Sequence, residues 1–372
     1  MSTPGVLFGG PSPEHDVSVL TGLQAARAMG QAGTAVAAIY WAKTGEFWSV
    51  DPGSEAGAFL DGVPKGATPL RLVATAGGGF VGGKGGLLGK ERALELSAVV
   101  NCCHGGPGED GTLQGALDAA GVAYTGPAVA GAALGMDKLA FGATVASAGL
   151  PSLPRALVEP GAPAPEWEGP FIVKPRFGGS SIGIEVWEHW SDAASQVAAG
   201  GVSWRRGAVA EQYRSGAHDV NVAVRVWPQL QLSLLERPLR SPGAAEILGY
   251  RDKYLGGEGM LSAPRELPAV LAPDVEKGLR EAAATVAALA QVRGVARIDF
   301  LVEGDQWWVN EINTIPGSLA RYLWVDAAAV PFPTLLGDMV DEAHRRPAVR
   351  WDAHGADGLA LRSASSIAAK LG

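Results

Sequence analysis

The sequence predicts an α/β protein of several units, and three observations carry that expectation. Roughly the first 125 residues alternate strand, helix, strand and helix, the order of a parallel α/β domain. A strand ending at Pro175 runs into a glycine-rich turn, and period-2 strands close the C-terminal third. The chain has 372 residues, 47% hydrophobic and 18% charged. That is enough apolar material for two or three cores, and it excludes wholesale disorder.

Each element follows in order. Residues 5–9 (GVLFG) read as a short buried strand broken by Gly9-Gly10-Pro11, and a helix is expected from about Val17 to Gly30. Residues 35–41 (AVAAIYW) form a second strand. The Gly- and Pro-rich stretch 51–90 is expected as loop or hairpin. Another buried strand covers 96–102, followed by a helix over 112–120. A second unit starts near Gly126, with a helical stretch over 136–148, a strand at 171–175 (FIVKP), the turn 177–183 (FGGSSIG) and a strand at 184–187. A third runs from about Ala208, with strands VAEQY and VNVAVRVW, a loop around 250–259, a helix over 275–290, and strands ARIDFLV and QWWVNEI. From about Val349 the tail is weakly patterned.

Charge and composition exclude several classes of function. Thirty basic against 38 acidic residues give a net charge of −8 without basic runs, which argues against nucleic acid or an anionic membrane surface as partner. No stretch approaches the 18 or so apolar residues of a membrane span, and the N-terminus lacks the basic region of a signal peptide. Cys102 and Cys103 are adjacent and cannot staple a fold, so a reducing cytoplasm is expected. Residues 78–85 have the spacing of a Walker loop, but Gly85 stands where Ser or Thr must hold Mg²⁺. The dinucleotide fingerprint is absent, and the six histidines show no zinc spacing.

Asp299 lies in a period-2 strand, and Glu311 and Asn313 lie two apart on another. If those strands pair, two carboxylates and an amide oxygen meet, a hard-oxygen set suited to Mg²⁺ carrying nucleotide phosphates. The plainer reading is acids on edge strands facing water. Lys138, Lys174 and Lys253 sit at strand ends or loops in a chain poor in lysine. The turn holding Gly179, Ser180 and Ser181 offers consecutive backbone N–H groups and two hydroxyls, as a phosphate cradle requires.

Six motifs in order then resemble the D-alanine–D-alanine ligases of the ATP-grasp superfamily, over roughly residues 5–340. They are VLFGGPSPEHDVS at 6–18, HGGPGEDGTLQG with YTG at 104–126, Met136-Asp137-Lys138, VKP with GGSSIG at 173–183, Lys253-Tyr254, and RIDF with NEINTIPG at 297–317. The resemblance implies a three-domain ATP-grasp fold, an N-terminal parallel α/β domain plus two α+β domains clamping ATP. The expected boundaries are 1–126, 127–207 and 208–348, with 349–372 as tail. It implies ATP and Mg²⁺, small amino-acid substrates and a cytoplasmic setting, and dimers are common in the family. Lys138, Lys174 and Lys253 match the lysines around the nucleotide, and Glu211 the adenine-side acid. Asp219 matches the ribose acid, with His218 the competing alignment. Asp299, Glu311 and Asn313 match the Mg²⁺ ligands. Glu14 matches the acid on the first substrate's ammonium, with Ser180 and Tyr254 as hydrogen-bonding partners. Arg297 and the N–H of Gly317 match the oxyanion stabilisers, and His104 reads equally as core or substrate-side.

The resemblance weakens after NTIPG. A serine for the second D-alanine's carboxylate is missing, and on a gapless count Tyr322 stands in its place. Arg321, Tyr322 and Leu323 are therefore expected at the second substrate, Arg321 as a carboxylate clamp. The function implied is ATP-dependent joining of D-alanine to D-alanine for peptidoglycan precursor synthesis. The alternatives are an ATP-grasp amide ligase of secondary metabolism with another second substrate, and a catalytically idle nucleotide-binding protein.

Overall fold

Apolar runs without alternation mark strands buried on both faces. The computed structural model describes residues 2–82, 92–159, 161–239, 264–347, 349, 352–364 and 366–371, and its first strand is of that kind. Strand β1 spans Thr3–Gly9 with Val6, Leu7 and Phe8 fully buried. Helix α1 (His15–Gln31) follows, then β2 (Ala37–Trp41), β3 (Phe47–Val50), β4 (Thr68–Val73), β5 (Gly79–Gly82), β6 (Arg92–Ala93) and β7 (Leu96–Asn101). They form one sheet in the order β6-β5-β4-β3-β2-β1-β7.

Strands β2, β1 and β7 run parallel, while β3 to β6 extend the sheet antiparallel. The parallel unit is thus one end of a mixed sheet, with β7 at its edge. The segment expected as loop or hairpin supplies β4 and β5, because antiparallel neighbours need only short turns between them. Helix α1 covers one face, with Ala25, Ala26 and Met29 in the same core as Phe8 and Tyr40. Gly22 marks the crossing: a Cβ there would overlap the Phe8 ring. After α2 (Gly106–Glu109), helix α3 (Thr112–Ala120) covers the other face, with Leu113 and Leu117 against Leu7, Ile39 and Val99.

The helical stretch expected over 136–148 is α5 (Lys138–Ser147), preceded across a 99° bend by a further helix, α4 (Val129–Met136). The break is chemical: Asp137 caps α5, accepting from the N–H groups of Leu139 and Ala140. Strands β8 (Ala156–Val158), β9 (Phe171–Pro175) and β10 (Glu185–Trp187), helix α6 (Trp190–Ala199) and strand β11 (Ala208–Gln212) come next. They make an antiparallel sheet ordered β10-β9-β11-β8, with Phe171, Val173 and Ala210 packed on Ala193 and Val197 of α6.

The third sheet combines β12 (His218–Arg225), β13 (Gln231–Leu232), β16 (Val295–Glu303) and β17 (Gln306–Asn313) in the order β13-β12-β16-β17. A small ribbon pairs β14 (Arg237–Pro238) with β15 (Arg265–Glu266). Helix α7 (Pro273–Leu289) lies on the apolar face, where Val220, Val222, Ile298 and Phe300 meet Leu279, Ala283 and Val286. Each such buried aliphatic or aromatic side chain is worth about 1.5–3 kcal/mol. A 3-10 turn over Gly317–Leu323 leads to α8 (Phe332–Arg345), which packs Leu335, Leu336 and Met339 into the core beneath α1. Among the described residues no single helix is long and apolar enough to cross a membrane.

Candidate active site

Strand period decides which polar residues meet. On the third sheet Asp299 stands opposite Asn221 and Glu311, and Arg297 opposite Asn313. The alternate positions are the apolar ones that face α7. Asp219 shares the face of Asn221 and Asp299, whereas His218 falls on the side of Val220. A bulge between Asp299 and Phe300 leaves Asn310 as the extra residue of β17 and turns Glu311 toward Asp299. Arg297 donates from Nε and Nη2 to both Asp299 oxygens at 2.7 Å, and Asn313 Nδ2 donates to Asp299 at 3.0 Å. Among the described residues no three His, Cys, Asp or Glu side chains cluster as a metal site. The set here is two carboxylates and one amide, which suits an ion taking its other ligands from phosphate and water.

The second sheet faces this one with cations. Lys174 and Glu211 are diagonal neighbours on the side of β9 and β11 away from α6. Lys174 Nζ donates to Glu211 Oε2 at 2.8 Å and to Asn310 Oδ1 at 3.2 Å. Arg155 Nε lies 3.0 Å from the other Glu211 oxygen. Burial alone would raise the Glu211 carboxyl, but Lys174 and Arg155 more than offset it and hold the group below the usual range. The two terminal nitrogens of Arg155 donate to the carbonyls of Lys138 and Asn310, tying the start of α5 to the bulge in β17. Lys138 Nζ bonds Gly178 O at 2.6 Å and pairs with Glu311 at 3.1 Å.

The glycine-rich turn after β9 meets the first sheet at Glu14. Ser180 and Ser181 both adopt left-handed backbone, at φ of 52° and 58°, and Ser180 Oγ donates to Glu14 Oε1. Gly179 lets the turn approach, since a Cβ there would lie 2.7 Å from Glu14 Oε2. Glu14, His104, Glu109, Ser180, Arg297 and Gly317 line one cavity of about 20 Å³, room for little more than one water.

Behind that cavity sits a buried polar frame. Glu109 accepts from Gly105 N at 2.9 Å, Ile315 N at 3.0 Å and Thr314 Oγ1 at 3.1 Å. Burial and the charge of Glu14 push its carboxyl up to about 7 against those three donors. His104 contacts Ile315 O through Nδ1 at 2.6 Å and Thr21 Oγ1 through Nε2 at 2.8 Å. Burial, with Arg297 adding to it, lowers its ring to about 4 although the Ile315 bond opposes this. His104 is therefore both wholly buried and on the cavity wall.

The segment after Gly317 departs from expectation. Ser318, Leu319 and Ala320 are all left-handed, at φ near 50°, each costing roughly 1–2 kcal/mol for a residue with a Cβ. The turn directs the following residues inward. Leu323 has no exposed surface and packs in the core with α1 and α8 residues, so it offers no face to a second substrate. Tyr322 is buried behind Arg297, its hydroxyl accepting from Nη1 at 3.2 Å and its ring 4.8 Å beneath the Arg265 guanidinium. Only Arg321 of the three keeps partial exposure, 5.5 Å over Phe332, with Nε buried and lacking a hydrogen-bond partner among the described residues. Lys253 and Tyr254 lie outside the described residues. Sequence reasoning passed over Arg155, Thr21, Asn310 and Glu109; of these, Glu109 and Asn310 carried a signal, inside the motifs HGGPGEDG and NEINTIPG.

Comparison with known proteins bears on the same regions. A family model described as D-ala D-ala ligase N-terminus matches residues 3–127, and one described as D-ala D-ala ligase C-terminus matches 164–341. A D-alanine–D-alanine ligase of Bradyrhizobium sp. (strain ORS 278) is 31% identical over 360 residues, covering 92% of this chain and 95% of that protein. One of Rhodococcus opacus (strain B4) is 33% identical over 375 residues, covering 92% and 96%. Among solved structures, the D-alanyl-alanine synthetase A of Vibrio cholerae superposes with a TM-score of 0.74 at 21% identity, covering 92% of this chain and 98% of that one. The VanG D-Ala:D-Ser ligase of Enterococcus faecalis gives 0.70 at 22%, covering 92% and 99%. At such identities the superpositions speak to the fold alone.

Proposed function

The chain belongs to the D-alanine–D-alanine ligase family, and on that premise we propose how its own residues join two molecules of D-alanine at the expense of ATP. The reaction makes the dipeptide of peptidoglycan precursors, with ADP and phosphate as the other products. One observation carries the residue assignment: the pairing of β12, β16 and β17 that gathers Asp299, Glu311, Asn313 and Arg297 on one face.

Lys138 and Lys174 hold the nucleotide phosphates, with Glu211 orienting Lys174 and Asp219 available to the ribose hydroxyls. Asp299, Glu311 and Asn313 would hold Mg²⁺, which when bound neutralises the transferring phosphoryl group. Glu14 takes the ammonium of the first D-alanine, so its carboxylate points toward the phosphates. The cavity holds little more than one water as it stands, and release of Glu14 by Ser180 is the rearrangement we propose for entry of the amino acid. Once the carboxylate is phosphorylated, the amine of the second D-alanine attacks the carbonyl. Arg297 and the Gly317 N–H stabilise the oxyanion, and phosphate leaves as the amide forms. An ATP-consuming reaction and two buried free thiols fit the cytoplasm, and a homodimer is the assembly we propose.

The test is phosphate release from Mg-ATP with D-alanine alone, then with a panel of other amines, products identified by mass. D-Alanyl-D-alanine from D-alanine alone, at a rate no other amine exceeds, is the expected result. A mixed product formed faster would overturn the assignment of the second substrate.

A further inference from the structure

Three left-handed residues directly after Gly317 need an external hold, and the hold comes from the N-terminal sheet and its helix. Ser318 N–H donates to Thr21 Oγ1 at 3.0 Å across 297 residues of sequence. Thr21 Oγ1 also contacts His104 Nε2, whose other ring nitrogen contacts Ile315 O. The roles in this chain of bonds are determined. A carbonyl only accepts, so Nδ1 of His104 carries the proton. In the neutral ring Nε2 is then an acceptor, Thr21 donates to it, and a Thr21 lone pair remains for Ser318. Ile315 and Ser318 flank Gly317 on either side, so the circuit grips the loop at both ends.

Thr21 is itself rigidly held. It is 1% exposed, and its neighbour Gly22 lies flush on Phe8. One turn earlier, Ser18 accepts from Gly9 N at 2.7 Å and donates to Cys102 O at 2.8 Å, pinning α1 to β1 and to the end of β7. We propose that Thr21 is a positioning residue for the Gly317 N–H, aiming that donor at the oxyanion through His104 on one side and Ser318 on the other. The inference rests on the reading of Gly317 and Arg297 as oxyanion donors.

Thr21→Val keeps the shape of the side chain and removes the hydroxyl; Thr21→Ala is a second variant read the same way, and Thr21→Ser restores the hydroxyl. The probes are steady-state kinetics and the affinity of a phosphinate dipeptide that mimics the tetrahedral intermediate. Without the hydroxyl, kcat is expected to fall about 10- to 100-fold, as misplaced groups do. KM for ATP and for D-alanine stays unchanged, the phosphinate weakens by the same factor, and serine restores both. A kcat loss that serine does not restore, or one matched by an equal rise in KM, would overturn the proposal as a general packing effect. Arg297→Lys is the reference for the reading beneath it. If that variant weakens the phosphinate and Thr21→Val does not, the positioning role alone fails. If neither does, the oxyanion reading falls and the proposal with it.

Discussion

Acidification from neutral pH to about pH 4 is expected to cost this protein about 3 kcal/mol through His104 alone. The ring's ordinary value is 6.5, and in the folded chain burial and Arg297 lower it to about 4. At about 1.4 kcal/mol per pH unit, that interval gives the figure. The sign follows from which state binds the proton more readily. The unfolded ring protonates first as pH falls, so the contribution is whole above 6.5 and is lost as pH falls through about 4. Glu109 works in the opposite sense. Its carboxyl is raised from 4.5 to about 7, so its contribution is whole below 4.5 and is lost as pH rises through 7. The two partly offset each other in the wild type, and the quantity to read is the difference between wild type and His104→Gln. Urea unfolding across that pH range measures it. The variant begins less stable, having lost hydrogen bonds to Thr21 and Ile315, by about 1–2 kcal/mol for each. That offset does not depend on pH, whereas the slope does. Parallel stability curves for the two proteins would refute the argument that His104 is buried in its neutral form.

Three further outcomes test other parts of the site. Glu311→Gln removes a charge from the proposed Mg²⁺ set and is expected to lower phosphate release by about 100-fold or more with the fold intact by circular dichroism; turnover like the wild type's would sink the metal assignment. Arg155→Leu strips one of two cations from buried Glu211 and leaves the Lys138 and Asn310 carbonyls without their donor. It is expected to cost about 3 kcal/mol in chemical unfolding and to raise KM for ATP, and an unchanged midpoint would refute the coupling. Gly105 has φ of +62°, and a Cβ there would overlap Glu14 Oε2 and Ser12 Oγ. Gly105→Ala is therefore expected to raise KM for D-alanine about tenfold while KM for ATP holds; equal effects on both would point to general misfolding.

Much of the site could be read along the chain because strand alternation is a local property. The spacing of Arg297, Asp299, Glu311 and Asn313 already says that they share a face if β16 and β17 pair, and they do. The same alternation separates Asp219 from His218 once β12 is paired with β16. Glu14 and Ser180 needed the family's motif order, since nothing near either residue says they touch across 166 positions.

What the sequence determined by itself is which residues lie on one face of a strand, that a helix runs close to residues 136–148, and that Lys174 sits where a strand runs into a glycine-rich turn. These depend on neighbours two to four positions away, so periodicity carries them. Only the tertiary structure decided that Arg155 reaches Asn310 across 155 residues and that Thr21 reaches Ser318 across 297. It likewise turned Tyr322 behind Arg297 and Leu323 into the core, through three left-handed residues that no local preference favours. Such contacts arise where separate sheets pack, and a hydrogen bond formed there depends on the positions of both partners, which neither stretch of sequence specifies alone.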